Sequence, residues 1–129
     1  MAKLSAHGGA VFKYTVVTKD GRCAAYAICR DGTVLKRGFW NRTWKRSRYR
    51  VKKGLTPEQA ADKIRQMIAK ADPRHDHILY LPGIAWPSES TLTHWIFEGI
   101  VETPDGYRVE PDGVSPNGWP AWTVILGIV

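Results

Sequence analysis

Hydrophobic and polar positions alternate through the first fifty residues and then change period. Val11–Thr18 is rich in β-branched and aromatic residues, Lys19-Asp20-Gly21-Arg22 reads as a turn, and Cys23–Arg30 reads as a second strand closed by Asp31-Gly32. Val34–Trp40 completes a three-stranded meander. Ala24, Ala25 and Ala27 in the middle strand are small enough to let another element approach closely, most naturally the helix that follows. Asn41-Arg42 turns the chain into Thr43–Val51. As a strand, that segment sets Trp44, Arg46, Arg48 and Arg50 on one side and Lys45, Ser47, Tyr49 and Val51 on the other.

From Leu55 the period becomes helical. Thr56 is a helix N-cap, Pro57 takes the first helical position, and Gln59 completes a capping box. Ala60, Ala61, Ile64, Met67, Ile68 and Ala71 then fall at three-and-four spacing, one apolar stripe to lay on the sheet. Asp72-Pro73 stops the helix, because proline disfavours helical geometry in the residue before it.

His77–Leu81 is a short apolar run that reads as a strand ended by Pro82-Gly83. A second helix is predicted over Glu89–Glu98, with Ser88 as cap, Leu92, Trp95 and Ile96 on one face and Gly99 at its stop. Ile100–Thr103 and Tyr107–Glu110 flank the hairpin turn Pro104-Asp105-Gly106. The tail Trp119–Val129 is almost wholly apolar and must be buried against the domain or a partner, as helix or strand. The fold expected is therefore α+β: an N-terminal antiparallel meander of three to four strands packed on one long helix, with a smaller helix-hairpin C-terminal part.

With 129 residues, a single domain is expected, made of a flexible arm at 1–9, a basic meander plus helix at 10–72, and an acidic and apolar half at 73–129. No apolar run reaches the roughly 18 to 20 residues of a membrane-spanning helix, and MAKLSAHGG lacks the apolar core of a secretory signal, which predicts a cytoplasmic protein. Cys23 and Cys29 are six residues apart in one strand, too far for a mutual disulfide at about 3.3 Å per residue. They read as free, packed thiols.

Charge changes the picture most. Residues 1–70 hold 17 Lys/Arg against four acids, and 71–129 hold two against eight, so +13 is followed by −6. Between Lys36 and Lys53 there are nine cations and no acid, interleaved with Phe39, Trp40, Trp44 and Tyr49. Cations on phosphates release condensed counterions, and flat rings stack on unpaired bases. This points to nucleic acid, DNA or RNA, held by Arg42, Lys45, Arg46, Arg48, Arg50 and Lys52, with Trp40, Trp44 and Tyr49 as stacking faces. Edge protection of a sheet is the plainer reading, but it needs only one or two lysines.

The other chemistry-bearing residues carry less. His75-Asp76-His77, near Asp72, has metal-ligand types, with His75 and His77 on one strand face, yet no third and fourth ligand stands at a recognised spacing. His94 and Glu98 are four apart on the second helix, where a surface hydrogen bond is commoner than an acid-base pair. Glu98, Glu102, Asp105, Glu110 and Asp112 read as a solvated acidic face. Phosphate loop, nucleophile elbow, zinc quartet and dinucleotide fingerprint are all missing, so neither catalysis nor a cofactor is expected.

Lys3-Leu4-Ser5-Ala6-His7-Gly8, followed by Arg30-Asp31-Gly32-Thr33-Val34-Leu35 and a Trp-containing basic stretch, resembles short uncharacterised proteins of phages and other bacterial mobile elements. The resemblance covers about the first 50 residues and transfers no functional residue. It implies an accessory factor that binds DNA or RNA, or else an anti-defence inhibitor, anti-CRISPR-like, that occupies a host nucleic-acid-processing protein.

Overall fold

A computed structural model describes residues 3–71 and 77–128. A 3-10 turn at Leu4–His7 leads into strands β1 (Ala10–Thr18), β2 (Cys23–Cys29), β3 (Thr33–Arg37) and β4 (Lys45–Arg50). Helix α1 (Pro57–Ala71), strand β5 (Ile78–Pro82), helix α2 (Glu89–Glu98), the short strands β6 (Val101–Glu102) and β7 (Arg108–Val109), and helix α3 (Trp122–Ile125) follow. The fold is α+β. One five-stranded sheet has the order β4-β3-β2-β1-β5, and β6 pairs with β7 alone. The chain divides into two compact units, one comprising residues up to Val16 with Ala24–Ala85, the other Val17–Cys23 with Trp86 onward.

In the first unit the meander is antiparallel at β2–β3, where Ile28 faces Val34, and at β3–β4. Helix α1 then carries the chain from the β4 edge to β5 at the opposite edge. The helix starts as its cap residues dictate: Gln59 N–H donates to the Thr56 hydroxyl at 3.2 Å, and Thr56 N–H donates to Gln59 Oε1 at 3.0 Å. Its buried stripe, Ala60 and Ile64, packs on Tyr14, Ile28 and Val34, with Leu55 and Ile68 closing the margins. The alanines of β2 play a different part from the one expected. Tyr26 and Ile28 meet the helix side of the sheet, so Ala25 and Ala27, one residue out of phase, are buried on the other face. Beyond β5, Thr15 acts as a clamp: its hydroxyl donates to the Gly83 carbonyl at 2.8 Å and accepts Ala85 N–H at 2.9 Å.

The arm expected to be flexible is docked over its described residues. Gly9 and His7 carbonyls accept the N–H groups of Arg30 and Asp31 at 3.1 and 3.3 Å, and His7 Nδ1 lies 2.8 Å from Asp31 Oδ2. Gly32 closes the same junction. It has φ +89°, and a Cβ there would stand 2.2 Å from the Val51 carbonyl oxygen, so only glycine fits. Strand β3 stops at Arg37, not Trp40, because Gly38–Asn41 turns, with Asn41 N–H on the Gly38 carbonyl at 3.1 Å.

The second unit is built around its own buried residues, Leu92 of α2, Val101 of β6 and Trp119, Trp122, Ile125 and Leu126 of the tail. The tail is thus core in the folded chain, and part of it is helical. Helix α2 has the expected bounds: Ser88 accepts Thr91 N–H at 3.2 Å, and Gly99, at φ 73°, donates to the Trp95 carbonyl. Ile96, however, is exposed instead of joining Leu92 inside. Asp105 also departs from the solvated acidic face. It accepts hydrogen bonds from Thr103 at 2.5 Å, Ser115 at 2.9 Å and Asn117 at 3.1 Å, and so ties the β6–β7 turn to the loop before Trp119. Burial works against its charge, but the three donors outweigh it and keep its pKa below the ordinary value. Among the described residues, no helix is long and apolar enough to cross a membrane.

Candidate nucleic-acid interface

Strand β4 is an edge strand, so one side of its backbone is unpaired within the sheet. Every residue from Lys45 to Arg50 is exposed except half-buried Ser47. Pairing with β3 places Lys45 opposite Lys36, Arg46 opposite Leu35 and Arg50 opposite Thr33. Four residues of β4 therefore span the distance that two residues of β3 cover, and the excess is taken up at Ser47, Arg48 and Tyr49. Ser47 makes this possible: its hydroxyl donates to the Val34 carbonyl at 2.6 Å and accepts Tyr49 N–H at 3.2 Å, bonds that a regular ladder would supply from the backbone.

This irregularity alters the expected row of three arginines. Arg46 and Arg50 share a face, since their partners Leu35 and Thr33 do. Arg48 is committed elsewhere. Its guanidinium lies 5.4 Å from the centre of the Tyr49 ring, and a hydrogen bond to the Tyr49 side chain raises its pKa above the ordinary arginine value. Tyr49 in turn meets Tyr26 edge-on at 6.3 Å.

The remaining predicted residues surround this strand. Trp40 stands at the β3–β4 turn, 69% exposed, with Phe39 against it edge-on at 4.8 Å. Arg42 is exposed in the same connection, Trp44 is half-buried just ahead of β4, and Lys52 is exposed on the way to α1. Arg37 is held by the Asn41 carbonyl at 2.5 Å.

Electrostatically the surface is one-signed. The ion pairs described, His7–Asp31, Arg22–Asp20 and Arg65–Asp62, involve none of Lys36, Arg42, Lys45, Arg46, Arg48, Arg50, Lys52 and Lys53, and among the described residues no carboxylate lies within 4 Å of any of these eight. Lys36 and Lys45 face each other directly across the strands, an arrangement that destabilises a sheet by roughly 0.2–1 kcal/mol.

The sequence singled out the basic strand but not the space beside it. Tyr14, Tyr26 and Tyr49 of the sheet and Ile64, Met67 and Ile68 of α1 line a half-open cavity of about 170 Å³. Helical spacing marked Ile64 and Met67 as core, and nothing local marks a void; the alternation of aromatics at 12, 14 and 26 was the available signal.

Of the metal candidates, His75 lies outside the described residues and His77 is half-buried beside β5. Among the described residues no group of three ligand-type side chains could hold a metal. His94 and Glu98 line a shallow cleft with Glu102 and Arg108, and no hydrogen bond joins the two among the described residues. Cys23 and Cys29 are free, and burial pushes the Cys23 thiol up to about 12, so it is protonated at neutral pH. Comparison with protein-family models, curated proteins and solved structures returned no match.

Proposed function

We propose that this chain is a non-catalytic binder of nucleic acid that grips phosphates along β4 and its flanking turns. Arg42, Lys45, Arg46, Arg50 and Lys52 are the phosphate contacts, and Trp40 and Tyr49 offer stacking faces. The observation that carries this reading is the acid-free exposed surface on which Lys36 and Lys45 oppose one another. Such a pair opposes folding on its own, and a polyanion relieves it. Edge protection accounts for one or two of these cations, not for a cross-strand lysine pair.

Fluorescence anisotropy with single-stranded DNA, duplex DNA and RNA over a salt series tests it. Tight binding at low salt, a steep salt slope and loss in Arg46/Arg48/Arg50→Ala are expected. Binding of the triple variant equal to that of the parent would remove β4 as the contact.

A second reading, a protein-binding inhibitor, is favoured by the second unit. At the end of α2, Phe97 is 89% exposed beside exposed Ile96 and Ile100, with Glu98 and Glu102 also exposed. Apolar side chains rimmed by acids suit a protein partner. Under this reading oligonucleotide affinity is negligible and capture of a single protein is abolished by Phe97→Ser.

A further inference from the structure

Where α1 lies over Tyr14 and Tyr26, packing is incomplete and leaves the cavity of about 170 Å³ open on one side. That is space for one aromatic ring system, since an apolar cavity of about 150 Å³ accepts benzene. Its walls differ in kind. Helix α1 contributes Ile64, Met67 and Ile68, while the sheet contributes three phenol rings. Tyr14 is only 4% exposed, and among the described residues neither its hydroxyl nor that of Tyr26 makes a hydrogen bond. Both hydroxyls can still donate and accept, so an occupant with donors and acceptors on a flat apolar body fits better than a hydrocarbon.

Tyr49 links this cavity to the basic strand. It lines the cavity, packs edge-on against Tyr26 and carries the Arg48 guanidinium on its ring, while its chain neighbours Arg48 and Arg50 face no carboxylate among the described residues. An anion-binding surface and a slot for one planar ring therefore share a wall. Resting on the nucleic-acid reading, we propose that one unpaired base of a bound strand enters this cavity while the phosphates beside it lie on Arg46 and Arg50, which share a face of β4. A paired base has no free face or edge to offer, so the slot favours single strands over duplex.

The test uses the full chain with a 12-mer DNA single strand carrying a central 2-aminopurine and a fully abasic strand of equal length. We expect 2-aminopurine fluorescence to fall on binding, and the abasic strand to bind about tenfold more weakly at matched salt. Met67→Trp, which fills the cavity, and Tyr14→Phe, which removes one oxygen, should both shrink that difference, whereas Phe97→Ser, in the second unit and not part of the cavity lining, should leave it unchanged. If Met67→Trp does not fold by circular dichroism, Tyr14→Phe decides alone. Equal binding of both strands, or a difference untouched by the cavity variants, overturns the base slot and leaves the basic strand as the contact. Absence of binding by either strand at low salt overturns the nucleic-acid reading itself, and the occupant falls with it.

Discussion

His7 Nδ1 lies 2.8 Å from Asp31 Oδ2 and joins two short segments 24 residues apart. These segments, Lys3–Gly8 and Arg30–Leu35, are the pair on which the resemblance to phage and mobile-element proteins rests, and here they form one junction. The Thr33 N–H on the Asp31 carboxylate is the main cause holding its pKa down at about 2; partial burial opposes this, and the His7 contact adds to it. Asp31 is thus ionised at neutral pH and accepts, so His7 Nδ1 carries the proton.

A depressed carboxylate stabilises the fold above its unfolded pKa, about 3.8, and loses that contribution as pH falls through about 2. Stability should therefore drop between pH 4 and pH 2, and Asp31→Asn should lower the melting temperature at pH 7 while flattening that drop. Thermal melts across the acid range, with the Asp31 carboxyl followed by NMR, check both.

Gly32 and Gly54 both have positive φ, but only Gly32 has a carbonyl where a Cβ would go. Gly32→Ala should cost about 3 kcal/mol or more, the sum of backbone strain and a clash with Val51. Gly54→Ala, in open space, should cost about 1–2 kcal/mol. Urea denaturation separates the two, and equal costs would contradict the close approach of Val51.

Lys45→Glu converts the cross-strand like-charge pair with Lys36 into an attractive one. The free protein should gain about 0.5 kcal/mol while oligonucleotide affinity falls. Stability and binding moving in opposite directions is the signature expected of charges kept for a ligand.

The three arginines of β4 should not be equivalent. Arg46→Ala and Arg50→Ala should each flatten the logarithmic salt dependence of single-strand binding by about 0.7. Arg48→Ala should flatten it less and instead loosen Tyr49, to which its guanidinium is bound. Anisotropy titrations at several salt concentrations give the three slopes.

Trp122 is buried in α3 with Ile125 and Leu126 also buried. Trp122→Ala should destabilise the second unit by about 3–5 kcal/mol, read as early unfolding in a denaturant titration. A loss below 1 kcal/mol would mean that the tail is not core.

Several features could be read from residues close together in the chain. The reciprocal Thr56–Gln59 cap, Ser88 and Gly99 at the ends of α2, the apolar stripe of α1 and the run of cations from Lys36 to Lys53 all depend on side chains within a few positions of each other. Helical periodicity and capping are local physics, so elements and charge were determined at that level.

Contacts between distant residues were decided only by the tertiary structure. Alternation put Arg46, Arg48 and Arg50 in one row, yet Ser47 bonds the Val34 carbonyl 13 residues away, and the slack this creates sends Arg48 to Tyr49. His7 turned an expected arm into a docked turn because Asp31 was there to receive it, and the tyrosine cavity exists because a helix and a sheet meet with a gap. Periodicity assigns a side chain to a face, but which partner awaits it there, or none, depends on how the chain is brought together.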